Sequence, residues 1–189
     1  MDMEVWGPAL PKLQGTGPFE QIPFLVSFYD KEKFTYFFAG EGGDEREEFA
    51  KQLIGLSKNY KTILVYDKNL EVNIISTLAG KFPALRAELM ELKEKLADVF
   101  DIFLHVNYYH PGFRNNFSLK VVSSVLLEDI RYSGIGSGLE AMNYYEQYRL
   151  NDNPIEKETI RDMLIDYCHT DTLATFGLVD FLKKTVSVS

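Results

Sequence analysis

Tyr167-Cys168-His169-Thr170-Asp171 lies near the C-terminus, inside a segment whose periodicity predicts one long helix. Asn153 is placed to cap that helix, Pro154 suits its first position, and Glu156 completes a capping-box pattern. Apolar residues then recur at helical spacing: Ile160, Leu164, Tyr167, Ala174, Leu178 and Leu182. Asp171 falls on the same stripe, one turn after Tyr167, so the two point the same way. Asp166 lies roughly 140° around the helix from Asp171, where a carboxylate stays in water. A carboxylate that faces inward is costly unless something pairs with it. The rest of the chain has to supply that partner.

Upstream, Met1 to Val5 alternates and places Asp2 and Glu4 on one face of a strand. A Pro- and Gly-rich loop over residues 7 to 18 follows. Ile22 to Phe28 and Phe34 to Phe38 flank Asp30-Lys31-Glu32-Lys33 and predict a hairpin. Glu41 to Asp44 reads as a turn and Glu45 to Leu56 as a helix. Thr62 to Tyr66 is short and nearly continuously apolar, as in a sheet covered on both faces. Leu70 to Leu78 and Ala84 to Leu96 read as helices, and Val99 to Val106 as a strand or a short helix. Tyr108 to Asn116 is a loop, and Ser118 to Leu127 is helical or extended. Gly134 to Gly138 is a connector, and Leu139 to Tyr148 is a helix before the long one. Three strands in a meander, continuing into alternating strand and helix, predict an α/β fold with a mixed sheet flanked by helices.

With 189 residues, 46% of them hydrophobic and 14% aromatic, the chain predicts a single globular domain over residues 1–189. A net charge of −8 argues against a protein that coats nucleic acid with a basic surface. It leaves room for an enzyme whose acidic site holds cations. The single cysteine excludes an internal disulfide. No window approaches the roughly 18 apolar residues of a membrane span, and no signal peptide is visible, so a cytoplasmic location is expected. The chain runs straight into patterned residues at Met1. It therefore reads as a domain excised from a longer protein, with its first strand truncated and the rest of the parent polypeptide as a partner.

Three acidic groups are thus distributed over the chain: Asp2 with Glu4 on the first strand, Glu71 after the fourth strand, and Asp171 on the last helix. Two hard divalent cations need several carboxylate oxygens converging from separate elements. This order resembles the 3′–5′ exonucleases of the DEDD superfamily, in the DnaQ-like subclass that carries a tyrosine in its third motif. Asp2-Met3-Glu4 resembles the first motif. Asp67-Lys68-Asn69-Leu70-Glu71 resembles the second, with Glu71 where that superfamily usually has Asp and Asp67 where it usually has Asn. Tyr167 to Asp171 resembles the third. More closely, the chain resembles an uncharacterised bacterial domain family placed in that superfamily, through its acidic first strand, Pro23-Phe24, Ser118-Leu119-Lys120 and Tyr167 to Thr172.

The resemblance implies a ribonuclease-H-like fold with a five-stranded sheet. It also implies two-metal hydrolysis of phosphodiester bonds at a DNA or RNA 3′ end. Two Mg²⁺ or Mn²⁺ ions, roughly 3.5–4 Å apart, would clamp the scissile phosphate. Asp2, Glu4 and Asp171 would hold the ion that activates water, with Asp2 bridging to the second. Glu71 would act through the second metal or its waters, and Tyr167 would orient the attacking water. The rival expectation is a ribonuclease-H-like module with an impaired metal centre that binds nucleic acid or a protein partner.

Other features have plainer readings. Cys168 reads as a small buried hydrophobe, since no second Cys exists and His105 and His110 have no ligand spacing to this helix. The Gly134 to Gly138 stretch lacks the Lys-Ser/Thr ending of a phosphate loop. Ser118 reads as a helix cap and Lys120 as a surface lysine that could reach a phosphate. Tyr144, Tyr145 and Tyr148 read as a mixed core-and-surface helix face.

Overall fold

The computed structural model describes residues 1–40 and 42–187. It is an α/β structure built on two ladders. β1 (Asp2–Trp6), β2 (Ile22–Tyr29) and β3 (Phe34–Phe38) form an antiparallel sheet in that order. β4 (Ile63–Val65) and β5 (Leu96–Asp98) form a two-stranded parallel ladder. The ladders meet at one hydrogen bond, donated by the Met1 amino group to the Leu64 carbonyl at 2.8 Å. The single five-stranded mixed sheet expected from the sequence is not formed among the described residues: three antiparallel strands and two parallel strands stand as separate ladders. With three residues in each of β4 and β5, there is little backbone to extend the pairing beyond that contact.

The seven α-helices of the described residues are α1 (Arg46–Ser57), α2 (Asn69–Lys81), α3 (Arg86–Glu94), α4 (Phe100–Leu104), α5 (Leu119–Leu126), α6 (Gly138–Leu150) and α7 (Pro154–Ser187). One strand lies where none was read: β5, Leu96–Asp98, begins on the last residue of a stretch read as helix. Of the two readings left open for Val99 to Val106, the short helix is the one formed, as α4. A three-residue strand offers barely one period of alternation, so no pattern could separate it from the helix before it. The turn read at Glu41 to Asp44 begins outside the described residues; Gly42 and Gly43 form a bend.

The antiparallel sheet is sandwiched. Met3, Val26 and Phe28 pack with Phe49 and Leu53 of α1, Ile75 and Leu78 of α2, and Leu89 of α3. Trp6, Phe24 and Leu25 pack with Tyr145 of α6 and with Leu164, Tyr167 and Cys168 of α7. The Trp6 indole donates to Glu146 Oε2 at 2.6 Å and carries the Arg149 guanidinium on its face, which ties β1 to α6. A third cluster, with Phe103, Phe113, Val122 and Leu178, joins α4 and α5 to the far part of α7. Thus α7 runs past β1, β2, β3 and β4, and any inward residue of its middle turns meets the strands.

Candidate metal centre

The start of α7 is capped as its sequence predicts. Asn153 Oδ1 accepts from the Ile155 amide at 3.1 Å, and Asn153 Nδ2 donates to Glu156 Oε1 at 3.1 Å. The capping glutamate also accepts from Asn151 Nδ2 at 2.9 Å. That start marks where the helix begins, and the packed stripe turns Tyr167, Cys168 and Asp171 onto β1 and β2. Tyr167 is 6%, Cys168 0% and Asp171 7% exposed.

On β1, alternation puts Asp2 and Glu4 on the face that meets α7. Ligand atoms of Asp2, Glu4 and Cys168 lie within 4.8 Å of one another. Cys168 Sγ is 3.2 Å from Asp2 Oδ2 and donates to it, with Ser27 Oγ also at 3.2 Å. Beneath this pair, Ser27 Oγ donates to the Cys168 carbonyl at 3.1 Å and Thr172 Oγ1 does so at 3.0 Å, the two hydroxyls touching each other. Cys168 is buried, as read, but its thiol also holds Asp2 in place, which its reading as a small hydrophobe did not foresee.

Asp171 and Glu71 flank the group. Asp171 Oδ1 accepts from the Tyr132 hydroxyl at 2.6 Å, and the Tyr167 hydroxyl also hydrogen-bonds this carboxylate. Glu71 sits in the first turn of α2, 3% exposed, and its Oε2 has no hydrogen-bond partner among the described residues. Asp67, which the resembled second motif also contains, faces solvent at a positive φ of 60° and bonds Asn69 Nδ2. Asp98, at the end of β5, accepts from the Asp67 and Lys68 amides, each at 3.0 Å, and from the Phe100 amide at 2.9 Å. It fixes the entries to α2 and α4.

The electrostatics follow from this crowding. Asp2 is pushed well above the usual carboxylate range, first by loss of water, then by Asp171 and Glu71. Glu4 is pushed up in the same way, by burial and then by Asp2 and Asp171. Burial lifts Glu71 to about 7. Burial also raises Asp171, while its bond from Tyr132 and the nearby Lys120 charge oppose the rise. Tyr132 and Tyr167 are shifted upward by burial and by Asp171, so both keep their protons and serve as donors.

The family model described as "Domain of unknown function (DUF2779)" matches residues 1–118. The chain belongs to this family. No curated protein and no solved structure matches it. Asp2, Glu4 and Glu71 lie within the matched residues, whereas Tyr132, Tyr167, Cys168 and Asp171 lie beyond them.

Of the carboxylates singled out from the sequence, Asp2 and Glu4 therefore lie together beside the Cys168 thiol, while Asp171 and Glu71, on α7 and α2, lie near enough for their charges to act on both. Sequence reasoning missed Tyr132 as a partner of Asp171. It sits in a loop 39 residues away in the chain, and no periodicity marks it. Three features test the site for a divalent ion: the paired Asp2 and Glu4 carboxylates beside the Cys168 thiol, an orphaned Glu71 oxygen, and the bond that commits that thiol to Asp2. They fit a hard cation. No described helix is long and apolar enough to cross a membrane.

Proposed function

We propose that this domain is a metal-dependent 3′–5′ exonuclease-type hydrolase acting on phosphodiester bonds at a nucleic-acid 3′ end. One observation carries the reading: Asp2 and Glu4 lie together on β1, the buried charges of Asp171 on α7 and Glu71 on α2 act on them, and one Glu71 oxygen has no hydrogen-bond partner among the described residues. Each buried anion costs several kcal/mol in the absence of a counter-charge. Protons or cations must supply that charge, and at neutral pH divalent cations do so best.

Asp2, Glu4, Asp171 and Glu71 would hold Mg²⁺ or Mn²⁺, two ions on the four carboxylates. The ions supply Lewis acidity at the phosphorus centre. The protein's own groups do the rest. Cys168, backed by Ser27 and Thr172, fixes Asp2. Tyr132 fixes Asp171. Tyr167, its proton on Asp171, would orient the attacking water by accepting a hydrogen bond on its phenol oxygen.

The test is release of nucleotide from 3′-labelled single-stranded DNA and RNA with Mn²⁺, in the wild type and in Glu4→Gln and Asp171→Asn. Loss of release in both folded variants is expected. Mn²⁺ binding without hydrolysis of either polymer would overturn the catalytic reading in favour of a binding module.

A further inference from the structure

Lys120, the second residue of α5, stands on the open side of the carboxylate cluster. Its Nζ lies 4.4 Å from the centre of the Tyr167 ring and 4.9 Å from that of Tyr132, the two phenols that address Asp171. The same ammonium donates to the Gly136 carbonyl. Its charge favours the ionised forms of both Glu4 and Asp171. Yet among the described residues it makes no ion pair within 4.0 Å with either carboxylate. A lysine whose role was to neutralise the acids would sit on them. This one is held a few ångströms off by two ring faces and a carbonyl.

It also lines a cleft of about 270 Å³ with Ser118, Gly136, Ser137, Gly138, Tyr167 and Asp171. The opposite wall has almost no side chains, and a Cβ on Gly138 would come within 4.0 Å of Glu4 Oε2. A bulky anion can therefore come close to the carboxylates from this side, where a cation awaits it.

We infer that Lys120 is the phosphate-contacting residue of this site, its ammonium taking a non-bridging oxygen of the 3′-terminal nucleotide's phosphate. The inference rests on the metal-centre reading of the carboxylates. The arrangement predicts effects of opposite sign. Removing Lys120's charge leaves the cluster more negative, so divalent ions bind as well or better. The phosphate loses a charge-assisted hydrogen bond, so a nucleotide binds worse.

The experiment is calorimetric titration with MnCl₂, then with thymidine 5′-monophosphate on the Mn²⁺-loaded protein, for the wild type, Lys120→Met and Lys120→Arg. In Lys120→Met, nucleotide affinity is expected to fall about tenfold or more, with Mn²⁺ affinity equal or higher. Lys120→Arg keeps nucleotide affinity within about threefold, because it keeps the charge. Unchanged nucleotide affinity in Lys120→Met beside normal Mn²⁺ binding overturns this inference alone. Loss of both affinities in Lys120→Met overturns it in favour of a structural role. A wild type that takes no Mn²⁺ overturns the metal-centre reading and this inference with it.

Discussion

Asp171 is gripped by phenols from two directions, one from its own helix and one from a loop. The grip orients the carboxylate without neutralising it. Replacing the charge while keeping the shape is therefore the informative change. Asp171→Asn is expected to lower Mn²⁺ affinity at least about a hundredfold by calorimetry. The metal-free melting temperature should hold or rise, since a buried like charge is removed. A variant that melts early would mean the carboxylate serves the fold instead of a cation. Tyr132→Phe removes only the orienting bond and should cost about tenfold in Mn²⁺ affinity, within the usual range for outer-shell partners. Wild-type affinity in that variant would show that the Tyr132 bond is incidental. At this scale the sequence was most legible for Asp171, because it broke the apolar stripe of its helix. Tyr132 and Cys168 broke no pattern; a loop tyrosine and a buried cysteine are ordinary until their neighbours are known.

At the scale of elements, α7 does two jobs: it packs against the sheet and it times the arrival of Tyr167, Cys168 and Asp171. The packing rests on residues such as Leu164, fully buried against Trp6, Phe24 and Tyr145. Leu164→Ala should lower stability by about 2–5 kcal/mol in urea unfolding, by lost transfer energy and the cavity left behind. The timing rests on the same packed stripe, and the cap only marks where the helix begins. Asn153→Ala should cost only about 1 kcal/mol. It should leave Mn²⁺ affinity unchanged, because the site lies several turns further on. A loss of metal binding in that variant would show that helix phase depends on the cap more than on the packed stripe. This helix, the hairpin of β2 and β3, and α1, α2 and α6 were all legible from periodicity and cap residues. β5 was not, since three residues at the end of a helix carry no period.

For the whole molecule, the buried acids make metal-free stability depend on pH. The folded value for Glu71 is about 7, above its ordinary 4.5. Between those values the native state retains a proton that the unfolded chain releases. Stability is therefore full below about 4.5 and declines as pH rises through about 7. One group shifted by this much is worth about 3 kcal/mol, and Asp2, Glu4 and Asp171, all raised, add in the same direction. Urea unfolding without metal should therefore give a lower stability at pH 7.5 than at pH 5. Glu71→Gln should flatten the difference, and saturating Mn²⁺ at pH 7.5 should restore stability by mass action. A metal-free protein that gains stability across this window would contradict the raised, buried carboxylates described above.

By itself the sequence determined which residues are chemically out of place and the order in which they occur. A carboxylate on an apolar stripe, an acidic pair on one strand face and a glutamate in a helix's first turn are local facts, written in periods of two and 3.6. Whether these groups meet depends on contacts between residues far apart in the chain, and no local period encodes those. Only the tertiary structure decided that α7 packs on β1 and that the Cys168 thiol lies on Asp2. It also decided that Lys120 stands over Tyr167. The same holds for the division of the sheet into two ladders, where the shortness of β4 and β5 and the single Met1 to Leu64 bond outweighed the strand order read from the chain.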